Sequence, residues 1–228
     1  MTVVAQERPF FDWSWVIRNV DQIWEQTLEH LTLTGFALGV GLVISILLSV
    51  LALTRPRTYE PMASVSGLLY TIPSLAVFAL VAPIVGIGTF AEKFVTAEVA
   101  LVSYTLLILV RNIVTGLRGV PAETKEAAVG MGYTPGQVLR QIEMPLALPV
   151  IVAGVRIATV TVVGLVTVTS LLGLGGLGFF ILNGLRKSII FPTEIIVGVV
   201  LSVLLAALLD VGLLWLGRRL APWAKART

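Results

Sequence analysis

Glu126-Ala127-Ala128, then Gly132, then Ile142, Met144 and Pro145 punctuate a polar stretch, residues 118–143, lying between two long apolar runs. Pro121 suits the first position of a helix, because its missing N–H is unpaired there anyway. Glu123 and Glu126 fall early, toward the positive end of that helix. Gly130 weakens the run, and Gly132 can take the left-handed conformation that ends it. Thr134-Pro135-Gly136-Gln137 restarts a helix: Thr134 caps, Pro135 comes first and Gln137 completes a capping box. Pro145 and Pro149 mark the return to apolar sequence. The reading is helix, glycine turn, helix, a short polar knob. Ala127 and Ala128 carry little side chain, which leaves room for close approach by a partner. The plain alternative is an ordinary structured loop.

Composition fixes what surrounds the knob. Hydrophobic residues make up 57% of the chain and charged residues 13%, where a soluble domain carries about 25% charge. This is an integral membrane protein, one domain in size. The chain has no cysteine and a single histidine, His30, which excludes disulfides, thiol chemistry and a multi-histidine metal site. His30 reads as a residue of the membrane interface rather than a ligand. Residues 1–30 lack the basic start and apolar stretch of a signal peptide. Trp13, Val16, Ile17, Val20, Trp24, Leu28 and Leu31 recur at helical spacing, with Arg18, Asp21, Gln22, Glu25 and Glu29 opposite. They read as an amphipathic segment in the membrane interface. The alternative is an extension of the first span.

Apolar runs were measured against the roughly 20 residues that cross a bilayer. Residues 31–54, 62–91, 96–110, 145–172 and 195–216 give five spans of an all-α polytopic protein. The second is broken by Pro73 and Pro83, and the third is near the minimum length. Five spans put the termini on opposite sides, and the basic residues choose which. With the C-terminus inside, Arg55, Arg57, Arg111, Arg118, Lys125, Arg140, Arg218, Arg219, Lys225 and Arg227 are cytoplasmic. Arg8, Arg18, Lys93, Arg186 and Lys187 are outside, ten against five. The expected division is 1–30 interfacial segment, 31–218 membrane domain with the knob at about 118–144, and 219–228 cytoplasmic tail.

The spacing Glu-Ala-Ala, three residues, Gly, nine residues, Ile, one residue, apolar residue, Pro resembles the EAA loop of bacterial ABC import permeases. Met144 stands where Leu is usual. The resemblance covers about residues 31–218 and implies the methionine-importer-like (MetI-like) permease fold. It implies that Glu126, Ala127, Ala128, Gly132, Ile142 and Pro145 couple the chain to a cytoplasmic ABC ATPase. It also implies a second permease chain, identical or paralogous, and an extracytoplasmic solute-binding protein. Membrane lipid surrounds the chain, and no nucleic-acid partner is expected. No G-x-x-x-x-G-K-[ST] loop occurs here, so the chain is not read as an enzyme. It needs no cofactor of its own; ATP and Mg belong to the ATPase. The implied location is the bacterial inner membrane.

Tyr70-Thr71-Ile72-Pro73-Ser74 lies in the second span. Proline frees backbone groups there, which Thr71 and Ser74 can satisfy. A very similar segment occurs in importers of glycine betaine, choline and carnitine, which implies that Tyr70, Thr71, Pro73 and Ser74 line a path. A buried kink is the alternative. Gly173-Leu174-Gly175-Gly176-Leu177-Gly178 matches G-x-G-x-x-G, but it follows a membrane span rather than a strand, so a dinucleotide site is denied. Related permeases carry a similar run, implying a gate or dimer contact by Gly173, Gly175, Gly176 and Gly178; simple packing is the alternative. Thr159, Thr161, Gly164, Thr167, Thr169 and Ser170 suit either a dimer seam or a pore wall. Among the charges near the membrane, Arg156 can snorkel or pair, Glu98 reads as a span end, and Asp210 can pair with Arg218 or Arg219. All three read as structural.

The details look most like osmoprotectant importers for glycine betaine, choline or carnitine. A permease for methionine or another amino acid shares the fold. An ion-coupled secondary transporter would want buried ionisable residues and inverted repeats, and no convincing repeat is present. A membrane enzyme would need a catalytic set that the spans lack.

Overall fold

A computed structural model describes residues 10–187 and 192–223. Its helices are α1 (Trp13–Arg18), α2 (Val20–Thr54), α3 (Tyr59–Thr71), α4 (Ser74–Val85), α5 (Phe90–Arg118), α6 (Ala122–Gly130), α7 (Pro135–Val138), α8 (Met144–Thr169), α9 (Gly178–Arg186) and α10 (Pro192–Leu220). No strand occurs among the described residues. Four helical stretches are long and apolar enough to cross a membrane: Val20–Thr54, Phe90–Arg118, Pro135–Leu172 and Pro192–Leu220.

Helices α3 and α4 meet at a 100° bend. Their contacts run the whole length of α5. Tyr59 at the start of α3 lies under the Arg118 guanidinium, 4.5 Å from ring centre. At the bend, the Tyr104 hydroxyl donates to the Ile72 carbonyl. Beyond α4, the Gly86 carbonyl accepts from Thr96 Oγ1 at 2.9 Å. The pair therefore passes from the C-terminal to the N-terminal end of α5 as one broken span. It makes the fifth crossing.

Helix α5 is the centre, packed on α2, α3, α4 and α8. Leu33, Ala37, Phe78, Ala97, Leu101, Val162 and Val166 form the largest buried cluster. Small residues let the backbones close. A Cβ on Gly41 would strike Thr105 of α5, and one on Gly154 would strike Asn112. Lipid supplies no hydrophobic drive between helices, so such close packing carries the association. Large apolar side chains such as Leu47, Leu68, Val203 and Leu208 are exposed.

Several expectations need correction. The third run is no minimal span: α5 has 29 residues, starting from a Thr89–Glu92 capping box and running on through Arg111, where Asn112 folds its amide back onto the Ile108 carbonyl at 2.7 Å. Glu98 is not a span end. It is 5% exposed inside α5, and neither carboxylate oxygen has a hydrogen-bond partner. Asp210 pairs with Arg156, not with Arg218 or Arg219. Helix α2 passes through residue 30 without a break. Its 35 residues span about 52 Å at 1.5 Å each, longer than the ~30 Å hydrocarbon layer. Trp13, Ile17, Val20, Trp24 and Leu28 do share an outward apolar side. Residues 1–9 and 224–228 of the two expected end segments lie outside the described residues, and Arg219 and Leu220 still belong to α10.

Candidate functional site: the knob, the bend and the glycine turn

Pro121 caps α6 rather than starting it, with extended backbone (φ −55°, ψ 137°). Gly132 has φ +89°, the region that a side chain penalises. The turn is closed by backbone bonds from Gly132 N–H to Val129 and from Tyr133 N–H to Ala128, at 2.9 and 3.1 Å. Thr134 and Gln137 form the expected reciprocal capping box. The second knob helix is not separate, however. Residues Leu139–Glu143 form a π turn, where the Met144 N–H bonds to the Leu139 carbonyl, and α7 and α8 join into one stretch, Pro135–Leu172. The wider turn accommodates Pro145, whose ring and missing N–H would disrupt a regular α-helix there.

The knob residues divide by exposure. Glu126 and Ala127 face outward. Ala128 does not: at 1% exposed it is the interior contact of the knob, with Val138 also buried. Its small side chain serves close packing within the chain rather than approach by a partner. Val129 and Met131 are 59% and 69% exposed, an apolar tip beside the Glu126 carboxylate. Lys125 Nζ sits 3.1 Å from Glu143 Oε1 and bonds the Leu117 carbonyl at 3.4 Å, clamping α6 to the π turn and to the end of α5. Ile142 and Pro145 line a hollow of ≈270 Å³ with Trp223.

At the bend, Thr71 satisfies the Leu68 carbonyl at 2.7 Å, as expected. Ser74 makes no such bond among the described residues. The carbonyl freed at Ile72 is taken instead by Tyr104, whose ring also meets Tyr70 edge-on at 5.7 Å. Tyr104 lies 32 residues away in sequence, and no local pattern could have found it.

The glycine run caps the far end of α8. Gly173 and Gly176 have φ of +74° and +83°. A Cβ on Gly178 would strike the Thr167 carbonyl, and one on Gly175 would strike Glu29. His30 fixes this turn. It is 0% exposed, so it is not an interface residue. Leu177 N–H donates to its Nδ1 at 3.1 Å, which leaves the proton on Nε2 to donate to the Val163 carbonyl at 3.1 Å. The hydroxyls of Thr159, Thr161, Thr167, Thr169 and Ser170 all bond back to carbonyls of their own helix.

The comparisons with known proteins agree with this geometry. Residues 31–223 match the family described as binding-protein-dependent transport system inner membrane component. The choline transport system permease protein OpuBB of Bacillus subtilis is 35% identical over 204 residues, 90% of this chain and 91% of that protein. The osmoprotectant import permease protein OsmW of Salmonella typhimurium is 36% identical over 206 residues, 90% and 93% of the two chains. In three dimensions the chain resembles the inward-facing MetNI methionine ABC transporter, with TM-score 0.73 at 22% identity over 92% of this chain and 99% of that one. A crystallised amino acid ABC transporter gives 0.75 at 18% identity, covering 96% and 100%. The chain belongs to the binding-protein-dependent transport family, as a multi-pass permease subunit of an ABC importer in the inner membrane.

Proposed function

We propose that this permease moves a compatible solute of the glycine betaine, choline or carnitine type into the cell. The observation that carries the reading is the run of relatives at 35–36% identity over about nine-tenths of the chain, named for choline, osmoprotectants and carnitine. Two permease chains line one path, a solute-binding protein delivers at the outer face, and an ATPase works below. The charge bias of ten against five favours Met1 outside and the knob in the cytoplasm. The exposed Glu126, Ala127 and Gly132 of the knob, with Ile142 and Pro145 beside it, meet the ATPase there; Ala128 holds the knob together from inside. Tyr70, Thr71, Pro73 and Ser74 shape the path at the α3–α4 bend, and Gly173, Gly175, Gly176 and Gly178 shape its outer gate.

Proteoliposomes containing the permease, its ATPase and its binding protein should accumulate labelled betaine, choline or carnitine only with ATP. Accumulation of methionine and none of these solutes would move the chain to amino-acid import. Reporter fusions at the two termini test the sidedness; a cytoplasmic Met1 would put the knob out of reach of any ATPase.

A further inference from the structure

A polar hollow of ≈380 Å³ lies between α2, the glycine turn and α9, at the opposite end of α8 from the knob. That volume falls in the range of small-molecule sites. One wall is anionic. Glu29 Oε1 accepts the Gly175 N–H at 3.0 Å, which fixes the carboxylate and leaves Oε2 for another partner. Oε2 and the Gln26 side-chain oxygen both crowd the place where a Cβ of Gly175 would stand. Gln26 is 9% exposed, and this oxygen has no hydrogen-bond donor. The Glu29 carboxylate and the Gln26 amide therefore converge on one point of the hollow, where Oε2 of Glu29 is open to a positive group.

Helix α9 brings one cation to the hollow, Arg186. Glu194 is 3% exposed, and its oxygens are already taken by Asn183 Nδ2 at 3.0 Å and Lys187 Nζ at 2.7 Å. Arg186, which lines the hollow, has no ion-pair partner among the described residues. The Phe179 ring completes the lining.

From this geometry we infer a zwitterion subsite at the outer mouth, on the reading that the chain is a solute permease. Glu29, the Gln26 oxygen and the Phe179 ring take the ammonium. A quaternary ammonium has no N–H to donate, so a carboxylate and an aromatic face are what can hold it. Arg186 takes the carboxylate as a charge-assisted pair. The subsite receives the solute as the binding protein releases it and passes it to the path.

The test uses the full complex in proteoliposomes, with labelled glycine betaine, carnitine and methionine, all zwitterions, and labelled choline. The one that wild type accumulates decides the solute. Glu29→Gln and Arg186→Gln are then assayed with that one. Gln at position 29 keeps an acceptor for Gly175 N–H, so the turn stays closed. Each variant should lower uptake about tenfold, the loss of one charged contact. ATP hydrolysis stimulated by loaded binding protein should stay near the wild-type level, because the knob is untouched. Uptake within twofold of wild type in both variants would overturn the subsite. So would a parallel fall of uptake and ATP hydrolysis, which is what a purely structural role gives. Accumulation of choline alone by wild type would leave the solute reading standing and overturn the zwitterion subsite; accumulation of none of glycine betaine, carnitine, choline and methionine would overturn both.

Discussion

Arg156 and Asp210 meet as a two-pronged ion pair between α8 and α10: Nε donates to Oδ1 at 2.8 Å and Nη2 to Oδ2 at 2.7 Å, across 54 residues of sequence. Each charge is tolerable in a span because the other is there. Removing one partner strands the other, whereas removing both leaves no orphan. Arg156→Leu and Asp210→Leu should each lower the melting temperature in detergent, and the double variant should recover most of the loss. Additive losses in the double variant would show that the two side chains act separately.

Gly132 should tolerate Asn and reject Val. At φ +89° a β-branched residue carries a strain of about 1–3 kcal/mol, while Asn adopts the left-handed region readily. Gly132→Val should insert normally yet lose uptake and solute-stimulated ATP hydrolysis together; Gly132→Asn should retain most of both. Normal uptake in Gly132→Val would mean that the knob does not couple the two proteins.

Tyr104→Phe removes only the hydroxyl that satisfies the Ile72 carbonyl at the bend. A buried acceptor left unpaired costs about 1–3 kcal/mol. A lower melting temperature is expected, together with faster hydrogen exchange in residues 69–77. Unchanged exchange there would show that the bend is held by packing alone.

Asp12 gives the chain an acid-sensitive corner. Its carboxylate caps α1 by accepting from Ser14 and Trp15, and its own N–H donates to Thr193 Oγ1 of α10 at 2.9 Å. The Ser14 hydroxyl, with the two backbone donors and Arg18, holds the Asp12 carboxyl below the ordinary carboxylate range. A lowered value in the folded state means that the cap stabilises fully at neutral pH. That stabilisation fades as pH falls below about 4 and through the folded value. Hydrogen exchange of residues 12–18 should therefore quicken in acid, and the acid step should vanish in Asp12→Asn, which still caps. The same acid step in Asp12→Asn would assign it to another group.

The knob was legible because its signals are local. Thr134 and Gln137 meet across one helical turn, and Gly132 needs only its own backbone angles. The family followed from the same residues. What escaped was set by distance along the chain. Asp210 was matched with Arg218 and Arg219 because they are near in sequence, yet packing of α8 on α10 brought it Arg156. His30 looked interfacial beside Trp24 and Glu29, and only the return of the glycine turn from residue 177 buried it. Tyr104 carried no sign of its task, because the carbonyl it serves becomes free only when α3 breaks. Glu98 read as a span end because helix ends are invisible inside a run of mixed residues, and α5 simply continued past it.

The π turn has a mechanical corollary. By absorbing Pro145 it makes the Pro135–Leu172 stretch one 38-residue beam, reaching from the knob to the glycine turn. Along it, Asn112 of α5 leaves no space for a Cβ at Gly154, and Thr167 meets Gly178 of α9 with less space still. At 1.5 Å per residue the arms on either side of Gly154 measure about 28 and 27 Å. A beam gripped near its midpoint and again near its far end cannot pivot freely, so a push on Pro135 is taken up as bending between the two grips.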